Sequence, residues 1–182
     1  MAATPVYGFP YATVADAPDG PAQELGLASA VETKFVAVDA AAAALLPATV
    51  TSTQVTSGTT TSASYTATLT GGTACGVAFV APASGKVVIV NTVQSSNSGA
   101  GNSFCAIHVR TGAVVGSGTD VLASSDDEAH TNTGTSAFRF SVSRLLTGLT
   151  PGASYNVQQE FKASSGTATF SRKHLFVDPK FA

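Results

Sequence analysis

The 182-residue chain has no tryptophan, one methionine and two cysteines, and only 11% of its residues are charged. Soluble domains usually carry roughly a quarter of charged residues, so serine and threonine must wet this surface instead. The formal net charge is -2, which offers no counterion-releasing grip on nucleic acid. No basic run points to an anionic membrane. The longest apolar run, around Ala40 to Leu46, is too short to cross a bilayer. The N-terminus has no basic region followed by an apolar core, which argues against a signal peptide and against export by the general secretory route. There is no G-x-S-x-G elbow, no H-E-x-x-H, no P-loop and no dinucleotide glycine pattern. These absences predict a protein that is not an enzyme, with no cofactor, no nucleic-acid partner and no membrane partner.

Cys75 and Cys105 are too few and too far apart for a disulfide framework or a zinc site. They read as two buried thiols acting as small apolar groups. A bridge between them would require adjacent strands.

Three segments are legible. Residues 1–19 contain Pro5, Tyr7, Phe9, Pro10, Tyr11, Pro18 and Asp19 and show neither a helical nor a strand period. Prolines hold such a stretch extended and let it present one ring after another. It reads as a docking tail, with Pro5, Tyr7, Phe9, Pro10 and Tyr11 as the contact residues. The competing reading is a strap over the protein's own domain or a neighbouring subunit.

Residues 20–47 read as one helix. Asp19 and Gly20 offer caps, Pro21 suits the first helical position, Glu24 sits near the positive end of the dipole, and Pro47 stops the chain. At 1.5 Å per residue it would be about 40 Å long. Ala28, Val31, Phe35, Val38, Ala42 and Leu45 recur at 3-4-3-4-3 spacing, the seam of a short parallel coiled coil. Lys34 then falls at position g and Asp39 at the following e, so the two would pair between chains. Exposed pairs of this kind add about 0.2–1 kcal/mol and favour register more than stability. Burying Val31, Phe35, Val38 and Leu45 would contribute about 1.5–3 kcal/mol each, against an association cost of about 4–15 kcal/mol. Such a coil is marginal alone and needs help from the domain behind it or from its mounting site. An amphipathic helix packed on its own domain is the alternative.

From residue 48 onward the period is two. Inward sets run Tyr65-Ala67-Leu69, Cys75-Val77-Phe79, Cys105-Ile107-Val109, Phe138-Phe140-Val142 and Tyr155-Val157-Gln159-Phe161. Val87-Val88-Ile89-Val90 is a continuous apolar run that predicts a strand covered on both faces. Ser165-Gly166 turns the chain into a last strand through Phe170, Leu175 and Val177. Eight or so strands with no intervening helix predict an antiparallel β-sandwich, jelly-roll-like, over residues 48–182. The Pro151-Gly152 turn fits type II geometry, and Tyr155 just beyond it fits a corner brace hydrogen-bonded back to the turn.

The densest polar cluster is Asp120, Asp126, Asp127, Glu128 and His130. Carboxylates suit a hard cation such as calcium, but EF-hand spacing is missing. The cluster reads as a solvated loop, and no metal ligand is assigned. His108 falls on the outward face of its strand, and His174 lies beside Arg172 and Lys173. A sugar site would want exposed aromatic platforms. Tyr65 and Tyr155 face inward and Tyr7 and Tyr11 belong to the tail, which weakens a glycan-receptor role.

Both ends of the chain resemble a known group. Tyr7-Gly8-Phe9-Pro10-Tyr11 through Asp16-Ala17-Pro18-Asp19-Gly20-Pro21 to Leu27-Ala28 resembles the N-terminal segment of virion proteins from tailed bacteriophages of actinobacteria. The run from Gly148 to Pro179, with Pro151-Gly152, Tyr155 and Ser165-Gly166-Thr167-Ala168, resembles their C-terminal hairpin. The resemblance covers about a third of the chain and supplies no catalytic residues. It implies a homotrimeric capsid decoration or short head fibre, assembled in the host cytoplasm and mounted on the virion surface through its N-terminus. Its partners would be itself and the major capsid or tail proteins. The alternative it implies is a receptor-binding minor tail protein or tail fibre whose head touches host surface glycan.

Overall fold

The computed structural model describes residues 2–3, 10–11, 20–44 and 47–180. The chain forms two compact units, Met1–Leu46 and Pro47–Ala182. In the first, β1 (Ala2–Ala3) pairs antiparallel with β2 (Pro10–Tyr11), Ala2 opposite Tyr11 and Ala3 opposite Pro10. The expected featureless tail therefore contains a short two-strand pairing. Helix α1 spans Gly20–Ala44, with Pro21 in its first turn where a missing N–H costs nothing. No helix among the described residues is long and apolar enough to cross a membrane.

The second unit is a β-sandwich of ten strands. They are β3 (Val50–Gln54), β4 (Gly58–Thr60), β5 (Gly76–Val80), β6 (Val87–Asn97), β7 (Asn102–Thr111), β8 (Asp120–Leu122), β9 (His130–Thr133), β10 (Phe138–Leu146), β11 (Ser154–Ala163) and β12 (Ala168–Pro179). Sheet I runs β10-β6-β12-β3, with β4 also on β12; sheet II runs β5-β11-β7-β8, with β9 also on β7. Every pairing is antiparallel. If β3/β4 and β8/β9 are each taken as one interrupted strand, the chain makes eight strands that switch sheets at nearly every connection. That is the connectivity of a jelly roll.

The core fills the space between the sheets. Val87, Ile89, Val109, Val157, Leu175, Val177, Phe79 and Tyr155 form one buried cluster. Val93, Cys105, Phe161, Phe170 and Leu69 form a second, where the Phe161 and Phe170 rings meet at 4.7 Å. A polar bridge is buried with them. Gln159 Nε2 donates to Asn91 Oδ1 at 2.6 Å and to the Thr92 carbonyl at 3.1 Å, while Asn91 Nδ2 lies 3.7 Å from Cys105 Sγ. Cys75 and Cys105 are free and buried. The Gln159 N–H donates to the Cys75 carbonyl, and β11 runs between the cysteines, pairing Phe161 with Cys105. Their strands are not neighbours, so no bridge forms.

The Pro151-Gly152 turn is as expected. Gly152 has φ +74°, Ala153 N–H donates to the Thr150 carbonyl at 3.1 Å, and the Tyr155 hydroxyl accepts from Thr150 N–H at 3.0 Å. Four strand expectations need correction. Ser64 to Thr70 forms no strand, only single bridges Thr66–Phe161 and Thr59–Thr70. Its hydroxyls satisfy the backbone locally instead: Ser62 Oγ donates to the Ser64 carbonyl, and Thr66 Oγ1 accepts from Thr68 N–H. The Val87–Val90 run is covered on one face only, with Val88 and Val90 half-buried on the other. Phe138, Phe140 and Val142 do share the core-facing side of β10, because Phe140 pairs with buried Val93. However, β10 is the sheet edge, and Phe138 stays 54% exposed. His108, expected outward, is buried, because the outer face of sheet II is itself covered.

Candidate functional site

The seam residues come first. Within one chain Phe35 is 66% and Val38 62% exposed; Ala28 and Lys34 are also exposed and Val31 is half-buried. Asp39 and Ala42 lie in α1, with side chains outside the described set, and Leu45 lies outside the described residues. Leu25, Leu27 and Val36, which flank the seam rather than belong to it, are exposed as well. The helix thus presents a broader apolar surface than a strict a/d stripe. Of the docking residues, Pro10 and Tyr11 form β2, whereas Pro5, Tyr7 and Phe9 lie outside the described residues.

Asp120, Asp126 and Asp127 of the acidic cluster are exposed, as expected of a solvated loop, but most of the cluster's carboxylates are paired. Asp126–Glu128 form a single 3-10 turn, and three of the carboxylates pair with four basic side chains. Glu128 pairs with Arg144 and Asp126 with Lys162. Asp120 pairs with His108 Nε2 at 2.7 Å and Arg110 Nε at 3.2 Å. The Lys162 ammonium also lies over the Phe104 ring, 4.4 Å from its centroid. The Tyr65 hydroxyl donates to the Ser125 carbonyl and to Asp126; burial first, then the Asp126 carboxylate, push the phenol pKa upward.

His108, Arg110, Asp120 and Glu160 form the densest charge contact in the sandwich. His108 Nδ1 lies 3.0 Å from Glu160 Oε1, which also accepts from Arg110 Nη2 at 3.0 Å. Burial alone would raise the Glu160 pKa; the hydrogen bonds from His108 and Arg110 outweigh it and hold the carboxyl below its ordinary value. Asp120 is held low mainly by its hydrogen bond to His108. Both imidazole nitrogens face carboxylates, so neither is turned to a hydroxyl or thiol that it could activate. The contact ties β7, β8 and β11 together. Beside it, Asn156 holds the loop after β7: its Nδ2 donates to the carbonyls of Thr111, Gly112 and Ser117 at 2.9–3.3 Å. Its Oδ1 accepts from Gly116 N–H at 3.0 Å.

A third feature was not anticipated. Between Ser171, opposite Gln94, and His174, opposite Thr92, strand β12 carries two residues against the single Val93 of β6. This bulge puts Arg172 at φ +49°, turns Lys173 fully into the interior and leaves Arg172 exposed. The Lys173 ammonium donates to the Thr56 carbonyl at 2.7 Å, and burial pulls its pKa down. Arg172 and His174 share a cleft with Arg139 of edge strand β10, which lies beyond β6 in the sheet. The signal was in the spacing. Phe170 and Leu175 are both core residues yet five apart, a parity that a regular strand cannot satisfy.

No family model matches the chain, and no curated protein matches it. Among solved structures, it is similar to a chain of the T13 IBDV viral particle, with TM-score 0.47 and 11% identity over 73% of this chain and 31% of that one. The chain therefore spans about a third of that neighbour's length.

Proposed function

We propose that the chain is a structural protein of a virion surface: a homotrimeric capsid decoration or short head fibre, mounted by its N-terminal segment and displaying the sandwich outward, without catalytic activity. The observation that carries this reading is the exposure of Phe35 and Val38 on a 25-residue helix. That helix belongs to a different compact unit from a sandwich with its own closed core. Free helices with this much apolar surface are stable when another surface covers it, and the heptad spacing makes identical helices the natural cover. The jelly-roll connectivity is compatible with capsid and lectin domains alike and by itself assigns neither.

The second reading, a minor tail protein or tail fibre that contacts host glycan, is favoured by one observation, the cationic cleft on sheet I. Copy number in purified particles separates the two. Hundreds of copies per particle support the head position, a few support the tail, and absence from particles overturns both. Multi-angle light scattering of the full chain tests the oligomer directly: three chain masses are expected, and a monomer at every concentration would sink the trimer.

A further inference from the structure

We propose that the outer face of sheet I binds an anionic glycan strand, with Arg139 and Arg172 clamping its charged group. The inference deepens the glycan-contacting reading of this same cleft, naming the ligand's charge, and stands whether or not the helices associate.

The strand register builds this face row by row. Arg139, Gln94 and Ser171 lie side by side across β10, β6 and β12. Ser141, Thr92, His174 and Thr53 form the next row across four strands, and Thr92 Oγ1 lies 3.0 Å from Ser141 Oγ on the same side. At the Arg139 end the face opens into a cleft of about 430 Å³ lined by Thr53, Val55, Arg139, Arg172, Lys173 and His174. No carboxylate lines it. Neither arginine makes an ion pair among the described residues. The acid placed on this face by the register, Asp178, belongs to the far end, where Lys180 and Thr49 hold it.

A chain of net charge -2 that gathers two guanidinium groups and an imidazole in one cleft draws an anion there. The guanidinium fork fits the paired oxygens of a carboxylate or a phosphate. The bulge strengthens the case. Left-handed backbone is costly for arginine, and here it is what turns Arg172 toward the cleft while its neighbour goes inside. Beside the cleft the two rows offer the hydroxyls of Ser171, Ser141 and Thr92 and the amide of Gln94, before the face turns apolar at Val90, Phe176 and Leu145. Such hydroxyl and amide groups hydrogen-bond the hydroxyls of a sugar or polyol chain. Charge at one end and hydroxyls along the rows describe a polymer that carries both.

The test uses the full-length chain and calorimetric titration with four probes: oligogalacturonate for carboxylate, poly(glycerol phosphate) for phosphate, dextran as a neutral glycan and poly-glutamate as a bare polyanion. Binding to either charged polyol or glycan is expected, weakening as salt rises, and whichever binds identifies the charged group. Arg139→Gln and Arg172→Gln should each weaken it about tenfold, the loss of one charge-assisted contact. Arg172→Gly should lose binding while keeping or raising the melting temperature, since glycine relaxes the left-handed position; that split separates a binding role from a structural one. No binding to either charged probe overturns the proposal, as do equal binding of dextran, equal binding of poly-glutamate, or full affinity in the Arg139→Gln, Arg172→Gln double variant.

Discussion

His130 stacks on Phe140 with ring centroids 5.6 Å apart and planes 21° from parallel, and neither of its ring nitrogens has a hydrogen-bond partner within the described protein. Burial pulls its pKa from 6.5 down to about 4. The unfolded chain therefore binds a proton between those values when the folded chain does not. The stability that this imidazole contributes is fully present above pH 6.5 and is lost as pH falls toward 4. The loss is on the order of 3 kcal/mol, since each tenfold difference in proton affinity between the folded and unfolded chain is worth about 1.4 kcal/mol. His130→Phe keeps the ring on Phe140 and removes two unpaired polar atoms. Urea melts from pH 7 to pH 4 should show a higher midpoint at neutral pH and a flatter decline than wild type. An unchanged decline would place the acid sensitivity elsewhere, in carboxylates held low such as Glu160.

The corner brace yields a smaller effect. Tyr155→Phe deletes the acceptor for Thr150 N–H while the ring stays beside Phe79, 5.8 Å between centroids. The expected cost is about 1 kcal/mol, read as a lower denaturant midpoint with an unchanged slope. A changed slope would mean that the brace also shapes the unfolded or native ensemble.

Asn156 has more at stake, because one side chain serves four backbone groups of the loop after β7. Asn156→Ala should cost about 2–4 kcal/mol, since several hydrogen bonds go at once in a buried setting. Faster hydrogen exchange should be confined to residues 111–118. Asn156→Asp keeps the acceptor for Gly116 but removes the donors, so it should not rescue. Full rescue by aspartate would contradict the assigned amide orientation.

The strands that pack on both neighbours were legible from period-two sets. Cys105, Ile107 and Val109, and likewise Val157, Gln159 and Phe161, all face inward. So was the corner at Pro151-Gly152, whose chemistry is local. Two kinds of information were not. Exposure at a sheet edge depends on strand order, which no single strand encodes; Phe138 and Val142 carry the right period and remain exposed because β10 is the edge strand of sheet I. Burial of a polar face depends on what loops fold over it, which is why His108 read as an outward residue. Ion pairs such as Asp120 with His108, or Glu128 with Arg144, join residues 12 and 16 apart across a turn geometry that spacing alone does not fix. The bulge at Arg172 stood in between, since its parity break was present in the chain and needed only the two core anchors to expose it.

The proposed trimer rests on the helix. Phe35 is 66% exposed and belongs to neither core cluster of the sandwich, so Phe35→Asp should leave the melting transition of the sandwich in place. If identical helices cover this surface, each trimer loses three buried rings and gains three like charges at one level of the seam. The ring alone is worth about 1.5–3 kcal/mol per chain, a large share of what a short coil has to offset association. Light scattering should then report the single-chain mass at concentrations where wild type is trimeric, with an unchanged circular-dichroism band from the strands. Lys34→Glu should weaken association less, by a few tenths of a kcal/mol per pair, and should be partly restored by adding Asp39→Lys, since the two positions meet between chains only in a parallel register. If Phe35→Asp keeps the wild-type mass, the seam is not what joins the chains; if the charge swap restores nothing, the helices do not lie parallel in this register.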